Sequence, residues 1–484
     1  PPPPPTERID RPMAQDLLGS GARPLRVAVI GSGPSAFYAV EALSKVEGLT
    51  ARCDMFERLP TPFGLVRGGV APDHQKIKSV TRIYDQIARA PTFRFFGNVQ
   101  VGKDLTVEDL RSAYDCRIWA VGNEGDRRMG VPGEDLAGVH SATAFVGWYN
   151  GHPDHQTHRF DLGRVRRVAV IGNGNVAMDV ARVLLQEPSR LESTDISEAA
   201  LEELRRSGVE EVVLVGRRGP AQAAFSPKEL QEIARLDGVS VEVPATEVEV
   251  DACSAAWLDA SAPRSAQRNL ALLQELAAAD GISGRRLRTV FRASPRSVLG
   301  VEGRVVALEC ERNRLEPDAD GVPRPHGTGE LLRIDCDLVL AAIGYRGIPV
   351  PGLPFCERRG IVPNEAGRVL ESADGPVVPG DYVVGWAKRG PTGLIGNNSP
   401  DSKDTVAALV ADLGQRQVDL LPSDEGAAIP ALLAARGVDF VDYRDWQNYD
   451  GFEIAQGVHR GKVRHKLTDA DAILDVMRSL RSAT

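Results

Sequence analysis

Several features that mark other classes of protein are missing from this 484-residue sequence. Its six cysteines are far apart and include no Cys-x-x-Cys pair, which counts against an iron–sulfur cluster, a zinc ribbon and a redox-active disulfide. No apolar run reaches the length of about 18 residues that a membrane-spanning helix needs, and the amino terminus has no signal-peptide pattern. We therefore expect reduced thiols, no membrane insertion and an intracellular location, either cytoplasmic or, in a eukaryote, in the mitochondrial matrix.

Charge and length narrow the class further. The net charge of −8 counts against a nucleic-acid-binding protein, and the length predicts two or three domains. Pro1 to Pro5 predict a stiff extended segment, and residues 1–23 are interpreted as a proline-rich linker or arm. Because the first residue is not methionine, we expect either a fragment of a longer polypeptide or a processed start, and a fused iron–sulfur domain is one hypothesis for an upstream segment.

The first positive signal is a short apolar strand that runs directly into a glycine turn. The strand, Val27–Ile30, has the composition of one that is buried on both faces. Gly31 then permits a tight turn and Gly33 lets the backbone approach a pyrophosphate, while Pro34 and Ala36 suit the start of a helix packed on the strand. Free N–H groups at such a helix start bind phosphate oxygens, so the pattern favours dinucleotide binding.

An acidic residue and an irregular loop follow this turn. Residues Ala51–Phe56 predict a second strand that ends at Glu57, about 25 positions after the turn, where dinucleotide-binding domains use a carboxylate to hold ribose hydroxyls. The next stretch, Leu59–His74, is rich in Pro and Gly yet carries apolar residues such as Phe63. This composition indicates either backbone packed against a flat ligand or an ordinary packed loop.

A second glycine turn repeats the first. Arg167–Ile171 is again a short apolar strand, and Gly172 and Gly174 follow it in the same spacing. Two such units in one chain indicate two dinucleotides, typically a flavin and a nicotinamide. The next strand ends in Arg217 and Arg218 rather than in an acid. Two guanidinium groups suit the 2′-phosphate of NADPH, so the first unit is assigned to FAD; a solvated basic turn is the alternative for this pair.

The remaining segments give weaker predictions. Residues 187–207 are interpreted as an inserted surface helix, and the histidine-rich loop 152–158 as solvated surface. Residues 239–250 and 287–305 alternate in the manner of antiparallel strands. The glycine-rich backbone of residues 385–396, which precedes a helix, is expected to bring N–H groups to an electron-rich ligand edge.

One basic cluster falls in this region, and Arg288 and Arg292 are predicted to lie on the same side of a strand. The cluster is either a docking face for an acidic partner or a solvated surface. It comprises Arg285, Arg286, Arg288 and Arg292.

Taken together, the motifs resemble one family. They are Gly31-Ser-Gly-Pro-Ser-Ala, Pro62-Phe-Gly-Leu-Val-Arg, Gly172-Asn-Gly-Asn-Val-Ala-Met-Asp, Gly216-Arg-Arg-Gly-Pro and Gly385-Trp-Ala-Lys-Arg-Gly-Pro-Thr-Gly. From Arg26 onward the sequence resembles the adrenodoxin-reductase-type ferredoxin–NADP reductases. The resemblance implies an α/β fold of two Rossmann-like domains of the glutathione-reductase type. An NADP-binding domain (123–346) would be inserted into a discontinuous FAD-binding domain (24–122 and 347–484, including a C-terminal extension).

The resemblance also implies roles for individual residues. Trp386 is expected against the flavin and nicotinamide rings, His74 and Asp179 in coupling and partner interaction, and Glu229 near the nicotinamide ribose. Without the resemblance, His74 is better explained by loop packing and Asp179 by a solvated or N-terminal helix charge, and the alternative for Trp386 is a core aromatic. The implied or predicted FAD contacts are Gly31, Gly33, Pro34, Ser35, Ala36, Glu57, Arg58, Gly64, Leu65, Val66, Gly385, Trp386, Gly393, Leu394 and Ile395. The NADP contacts are Gly172, Gly174, Asn175, Val176, Arg217 and Arg218.

The function that the resemblance implies is electron transfer from NADPH to an iron–sulfur ferredoxin, by hydride transfer to flavin N5 and then release of single electrons, in a monomeric protein that needs no metal. One alternative in the same class is the flavoprotein module of an amidotransferase or pyrimidine-reductase-like complex, although such systems carry nearby cysteine clusters. A non-catalytic NADP(H)-sensing binding protein is the alternative from another class.

Overall fold

Two mainly parallel sheets organise the chain, which the computed structural model describes at residues 18–21, 23–279, 284–414 and 428–482. The predicted proline-rich arm lies almost wholly outside the described residues. The first sheet has seven strands in the order β16-β17-β18-β4-β1-β2-β3. Its strands are β1 (Leu25–Ile30), β2 (Ala51–Glu57), β3 (Phe93–Gly97), β4 (Cys116–Trp119), β16 (Asn364–Glu365), β17 (Arg368–Leu370) and β18 (Val377–Val383). Strands from both ends of the chain therefore share one sheet.

The second sheet has six strands from the middle of the chain, in the order β6-β14-β7-β8-β10-β9. They are β6 (Val139–Ser141), β7 (Arg167–Ile171), β8 (Glu211–Val215), β9 (Val239–Glu242), β10 (Arg285–Val290) and β14 (Leu338–Ala341). Two smaller sheets complete the set, a meander of β11 (Ala293–Val301), β12 (Arg304–Pro317) and β13 (Pro323–Asp335), and an antiparallel pair of β5 (Gly125–Asp126) and β15 (Tyr345–Arg346). The antiparallel pair lies where the chain passes between the two large sheets.

The central strands of both large sheets are buried on both faces, as their composition predicts. In β1, Val27 and Val29 belong to one hydrophobic cluster, whereas Ala28 and Ile30 belong to another on the opposite face. In β7, Val168 and Val170 likewise separate from Ala169 and Ile171. Since side chains alternate between faces along a strand, each central strand contributes to two cores.

The described helices cover these sheets and carry the site. They are α1 (Pro34–Ser44), α2 (Leu65–Gly68), α3 (Gln75–Lys78), α4 (Thr81–Ala88), α5 (Val107–Ala113), α6 (Ala142–Tyr149), α7 (Asn175–Leu185), α8 (Ser189–Glu192), α9 (Glu198–Arg205), α10 (Pro227–Ala234), α11 (Ala252–Ala260), α12 (Arg264–Ala277), α13 (Trp386–Arg389), α14 (Asn398–Gly414), α15 (Ala428–Ala435), α16 (Tyr443–Val458) and α17 (Ala470–Ser482). Among the described residues, none of the helices combines the length and the apolar composition that crossing a bilayer requires.

The antiparallel interpretation of residues 239–250 and 287–305 is wrong for most of its length. Strands β9 and β10 pair in parallel with each other, and β10 also pairs in parallel with β8; antiparallel pairing begins only at β11. Arg292 does not share a strand face with Arg288, because it lies beyond the end of β10 with a left-handed φ of 51°.

Two segments predicted as surface are partly buried. Residues 187–207 form two short helices, and Asp195 between them is buried and accepts hydrogen bonds from Lys78. In the histidine-rich loop, His155 and His158 stack with ring centroids 5.7 Å apart. Burial lowers the pKa of the neighbouring His152 to about 4, so this imidazole is neutral at pH 7.

Candidate functional site

The two glycine turns have the same local geometry. Gly31 has a φ of 100°, and a Cβ built on it would lie 2.4 Å from the carbonyl oxygen of Ala120. Gly172 has a φ of 127°, and its Cβ would lie 2.2 Å from the carbonyl oxygen of Ala342. Both positions therefore require glycine because of the backbone angle and the neighbouring strand.

The second glycine of each turn shows the opposite pattern. A Cβ on Gly33 or on Gly174 would meet no atom within 4 Å. Each of these residues is the N-cap of a helix, α1 or α7, and neither helix start has a side-chain cap. Open space in front of uncapped N–H groups is the arrangement that a pyrophosphate needs, so both turns fit a bound dinucleotide.

Glu57 lies at the first turn, as its position after β2 predicts. Its Oε2 accepts hydrogen bonds from Ser32 N at 3.1 Å and from Ser32 Oγ at 2.6 Å, and its Oε1 accepts one from Leu59 N at 3.0 Å. The carboxylate is thus held in a fixed orientation beside the turn. The neighbouring Arg58 bonds to Glu124 and Asp154, so it closes one side of this region.

The irregular loop after β2 packs against the same turn. Phe63 N donates to Ser32 O at 3.1 Å, and a Cβ on Gly64 would lie 3.2 Å from the Cα of Gly33. The short helix α2, which contains Leu65 and Val66, follows at once. These contacts place both residues beside the opening in front of Gly33.

The glycine-rich segment after β18 also reaches the first turn. A Cβ on Gly385 would lie 2.4 Å from Ser35 Oγ, so the backbone there touches the start of α1. Trp386 begins the single-turn helix α13, and its ring centroid lies 5.3 Å from that of Tyr345. Farther along, Gly393 has a φ of 81° and Leu394 is 64% exposed. Leu394 therefore faces solvent, whereas the adjoining Ile395 packs partly against the core beside the first sheet.

Arg217 and Arg218 form a positively charged turn after β8. Their backbone is fixed from below, because Asn313 Nδ2 donates to Arg217 O and Arg292 N donates to Arg218 O. Among the described residues, neither side chain has a carboxylate within 4.0 Å. Burial and the charges of Arg217 and Arg324 lower the pKa of Arg218. An unneutralised pair of guanidinium groups favours an anion at this position.

His74, Asp179 and Glu229 meet between the two turns. Their nearest nitrogen and oxygen atoms lie within 4.8 Å of one another. His74 Nε2 is also 3.0 Å from Glu232 Oε2. Ser226 N donates to Asn175 Oδ1 and the Ser226 side chain caps α10, which links Glu229 to the second turn.

Sequence reasoning missed the residue that joins this cluster. Arg182 bonds to Asp179 and Glu229, and also to Asp73 in the loop before His74. Its three-residue spacing from Asp179 on a predicted helix was the one available signal. Asp73 gave none, because 109 positions separate it from Arg182.

The C-terminal segment supports the irregular loop after β2 through a buried ionic group. Glu453 on α16 is fully buried and accepts hydrogen bonds from Arg67 at 2.6 and 2.9 Å and from Arg464 at 3.0 Å. Lys466 donates to the carbonyl oxygen of Arg67 and pairs with Asp195 at 2.7 Å. The helix that carries Leu65 and Val66 is therefore fixed from behind.

We expect Glu453→Gln to lower the free energy of unfolding by about 3–5 kcal/mol, because it leaves the largely buried Arg67 guanidinium without its anion, whereas Arg464 keeps its bond to Asp450. Although burial disfavours the charged form, Arg67 holds the pKa of Glu453 below its usual 4.5. The contribution of ionised Glu453 to the free energy of unfolding is therefore fully present above pH 4.5, and it is lost as the pH falls through the lowered pKa. Urea unfolding of both proteins checks this, with Glu316→Gln as the exposed control, which should change stability by less than about 1 kcal/mol. An equal loss in both variants, or one independent of pH, contradicts the assignment.

A parallel α/β fold with two uncapped glycine turns, one followed by an acid and the other by two arginines, defines the two-dinucleotide oxidoreductases. In this class a flavin and a pyridine nucleotide bind in adjacent domains. No protein-family model matches the chain. Comparison with curated relatives and with solved structures identifies the family more specifically.

The chain is 44% identical over 464 residues to NADPH-ferredoxin reductase FprA of Mycobacterium tuberculosis. The aligned residues cover 94% of this chain and 99% of that protein. It is 42% identical over 468 residues to the mitochondrial NADPH:adrenodoxin oxidoreductase of Salvelinus fontinalis, covering 94% and 91%. A solved structure of Mycobacterium tuberculosis FprA in complex with NADPH matches with a TM-score of 0.88 at 43% identity, over 94% of this chain and 100% of that one. The chain belongs to the adrenodoxin-reductase-type ferredoxin–NADP reductases, as its motifs predicted.

Proposed function

We propose that this chain is an FAD-dependent NADPH:ferredoxin oxidoreductase. The observation that carries the proposal is the second glycine turn with Arg217 and Arg218 beside it, joined through His74, Asp179 and Glu229 to the loop that packs on the first turn. The relatives named as NADPH-ferredoxin and NADPH:adrenodoxin reductases support the same reaction. A flavin held at Gly33 and Glu57 would supply the redox chemistry, accepting a hydride (two electrons and one proton) from NADPH and passing the two electrons singly to two equivalents of an iron–sulfur ferredoxin, with release of the proton.

The roles of the residues follow from where they lie. Gly33 and Gly174 leave room for the two pyrophosphates, and the uncapped starts of α1 and α7 donate N–H groups to them. Glu57 holds a ribose, and Arg217 and Arg218 bind the 2′-phosphate. Trp386, which packs against Tyr345, limits the space available to the flavin and nicotinamide rings.

Anaerobic stopped-flow mixing tests the reaction. We expect the flavin band at roughly 450 nm to bleach rapidly with NADPH and slowly with NADH, and to recover when oxidised ferredoxin is added. A flavin that bleaches but passes no electrons to any ferredoxin would favour the module of a larger reductase complex. Failure to bind FAD would leave the nucleotide-sensing alternative.

We also propose the finer organisation of the chain. The NADP-binding part spans residues 123–346, within a FAD-binding part formed by residues 24–122 and 347–484. The strand order, in which one sheet combines both ends of the chain, supports these boundaries. The six free cysteines support an intracellular location, cytoplasmic or mitochondrial. We propose a monomer, for which size-exclusion chromatography with light scattering is the test.

We propose that an acidic ferredoxin docks on the basic cluster predicted from the sequence. Arg286 and Arg288 are 41% and 33% exposed, and both lie within 3.1 Å of Glu211. Arg285 and Arg292 instead donate to backbone carbonyl groups, Arg285 to Leu185 and Gln186 and Arg292 to Thr246 and Glu249. Arg286 and Arg288, two residues apart on β10, share the carboxylate of Glu211 and are the pair whose charge is reversed in the test below.

We expect the double variant Arg286→Glu and Arg288→Glu to raise the KM for ferredoxin several-fold at low salt, because charge reversal weakens electrostatic steering. Reduction of a small dye by NADPH should stay unchanged. The difference in the KM for ferredoxin between the variant and the wild type should shrink as salt is added. An unchanged KM for ferredoxin at low salt would remove these arginines from the docking face.

A further inference from the structure

Arg182 on α7 is almost completely buried, with 4% of its side chain exposed, and its guanidinium is held by three carboxylates. Nε and Nη2 donate to the two oxygens of Asp73 at 2.8 and 3.0 Å. Nη1 donates to Glu229 Oε2 at 2.9 Å, and Nη2 also donates to Asp179 Oδ1 at 2.6 Å. Such a forked geometry suits arginine and not lysine, whose ammonium is a point charge.

The three carboxylates come from different parts of the fold. Asp73 follows the loop that packs on the first glycine turn, Asp179 lies one helical turn beyond Asn175 at the start of α7, and Glu229 lies in the first turn of α10. One guanidinium thus fixes the irregular loop after β2 to two helices of the second dinucleotide unit, α7 and α10.

The carboxylates differ in how easily they ionise. Although burial disfavours its charged form, Arg182 holds the pKa of Asp73 below its usual value. Burial raises the pKa of Asp179 despite the opposing charge of Arg182. Burial and the charge of Asp179 raise the pKa of Glu229. The charges of Arg182 and His74 both oppose protonation of the Asp179–Glu229 pair, and Arg182 is the one that also hydrogen-bonds to both carboxylates.

Other charged and titratable groups face the cluster from each neighbouring element. His74 lies 3.0 Å from Glu232, 3.7 Å from Asp179 and 4.0 Å from Glu229, so it faces all three carboxylates. Lys228 pairs with Glu232 at 3.0 Å. The phenols of Tyr149 and Tyr345 have raised pKa values because they are buried, and they stay neutral at working pH. Neither phenol therefore supplies a charge that could replace the charge of Arg182.

We propose that Arg182 is a positioning residue that holds Asp179 and Glu229 as a pair of anions facing the positively charged nicotinamide ring of NADP⁺. The inference rests on the proposed function, because it requires a nicotinamide ring between the two turns. Tyr345, on which the charge of Asp179 acts, packs at a tilt of 38° against Trp386. Gly385, just before Trp386, leaves no room for a Cβ beside Ser35 of the first turn, so the cluster lies close to both units.

The test is calorimetric titration of the FAD-loaded protein with NADP⁺ between pH 6 and 8, in buffers of different ionisation enthalpy. The wild type is compared with Arg182→Gln and Arg182→Lys. Because a cationic ring favours ionised carboxylates, NADP⁺ binding to Arg182→Gln should release more protons than binding to the wild type. The pH below which NADP⁺ affinity falls should rise by about one to three units. Arg182→Lys, which keeps the charge but not the fork, should shift by less.

Two controls make the outcomes separable. Adenosine 2′,5′-bisphosphate lacks the nicotinamide, so its affinity should be the same in all variants at each pH. Arg368→Lys disrupts a buried arginine–carboxylate pair with Asp412, away from the second sheet, and should leave NADP⁺ binding unchanged.

Equal proton release by Arg182→Gln and the wild type overturns the inference, as does an equal loss of affinity for both ligands. If the wild type binds neither NADP⁺ nor the bisphosphate, the proposed function itself is wrong, and the inference that rests on it is wrong with it. If Arg182→Gln does not fold, the smaller shift in Arg182→Lys decides, and its absence overturns the inference.

Discussion

Replacing both arginines of the second unit, Arg217→Ala and Arg218→Ala, is expected to lower kcat/KM for NADPH by about 100- to 10,000-fold while leaving NADH within a few-fold. The estimate follows from two charge-assisted hydrogen bonds to the 2′-phosphate at about 1.5–3 kcal/mol each, with tenfold per 1.4 kcal/mol. Because Arg217 is exposed and screened by solvent, we expect the lower part of this range. Steady-state reduction of a dye with each nucleotide measures it.

The matched control is Arg314→Ala. Arg314 lies on β12 in the same part of the chain, but its Nε is 2.7 Å from Glu316 Oε1, so its charge is already paired. Its loss should change neither nucleotide's kinetics. If the double variant loses activity equally with NADPH and NADH, the arginines do not recognise the 2′-phosphate.

The second large effect concerns the open glycines. Gly33→Val is expected to abolish FAD retention, and Gly174→Val to keep FAD while lowering NADPH affinity by at least about 100-fold. Each valine would occupy the space through which a pyrophosphate approaches, and neither Cβ meets an atom of the chain within 4 Å. Flavin absorbance after purification and titration with NADP⁺ separate the two outcomes.

The paired glycines provide the control. Gly31→Ala would place a Cβ 2.4 Å from the carbonyl oxygen of Ala120 and force a residue with a side chain to φ 100°, so it should damage folding itself. Apoprotein of Gly33→Val should instead unfold at the same temperature as wild-type apoprotein. A Gly33→Val protein that purifies with a full complement of FAD contradicts the assignment of this turn.

Local patterns predicted the parts of the fold that depend on neighbouring residues. The strands β1 and β7, their glycine turns and the position of Arg217 and Arg218 all follow from spacing within one β-turn-α unit. The comparisons confirm the family and the fold class. The roles of the individual site residues stay predictions, and the variants above test them.

The predictions that were wrong or missing depend on contacts that the periodicity of a sequence does not reveal. Parallel and antiparallel strands share the same two-residue alternation, so β9 and β10 looked like members of the meander that follows them. Burial of the histidine loop depends on distant contacts, since a Cβ on Gly68 would lie 2.8 Å from the ring of His152. The pairing of Arg182 with Asp73 likewise exists only after the two dinucleotide units come together.

Nucleotide stoichiometry tests the two-site assignment most directly. Denaturation of the purified protein should release one FAD per chain, and calorimetric titration of the same preparation should show one NADP⁺ bound per chain with the flavin retained. That result would mean that each glycine turn holds its own dinucleotide. Binding of a single dinucleotide, or displacement of FAD by NADP⁺, would show that the two turns do not act as separate sites.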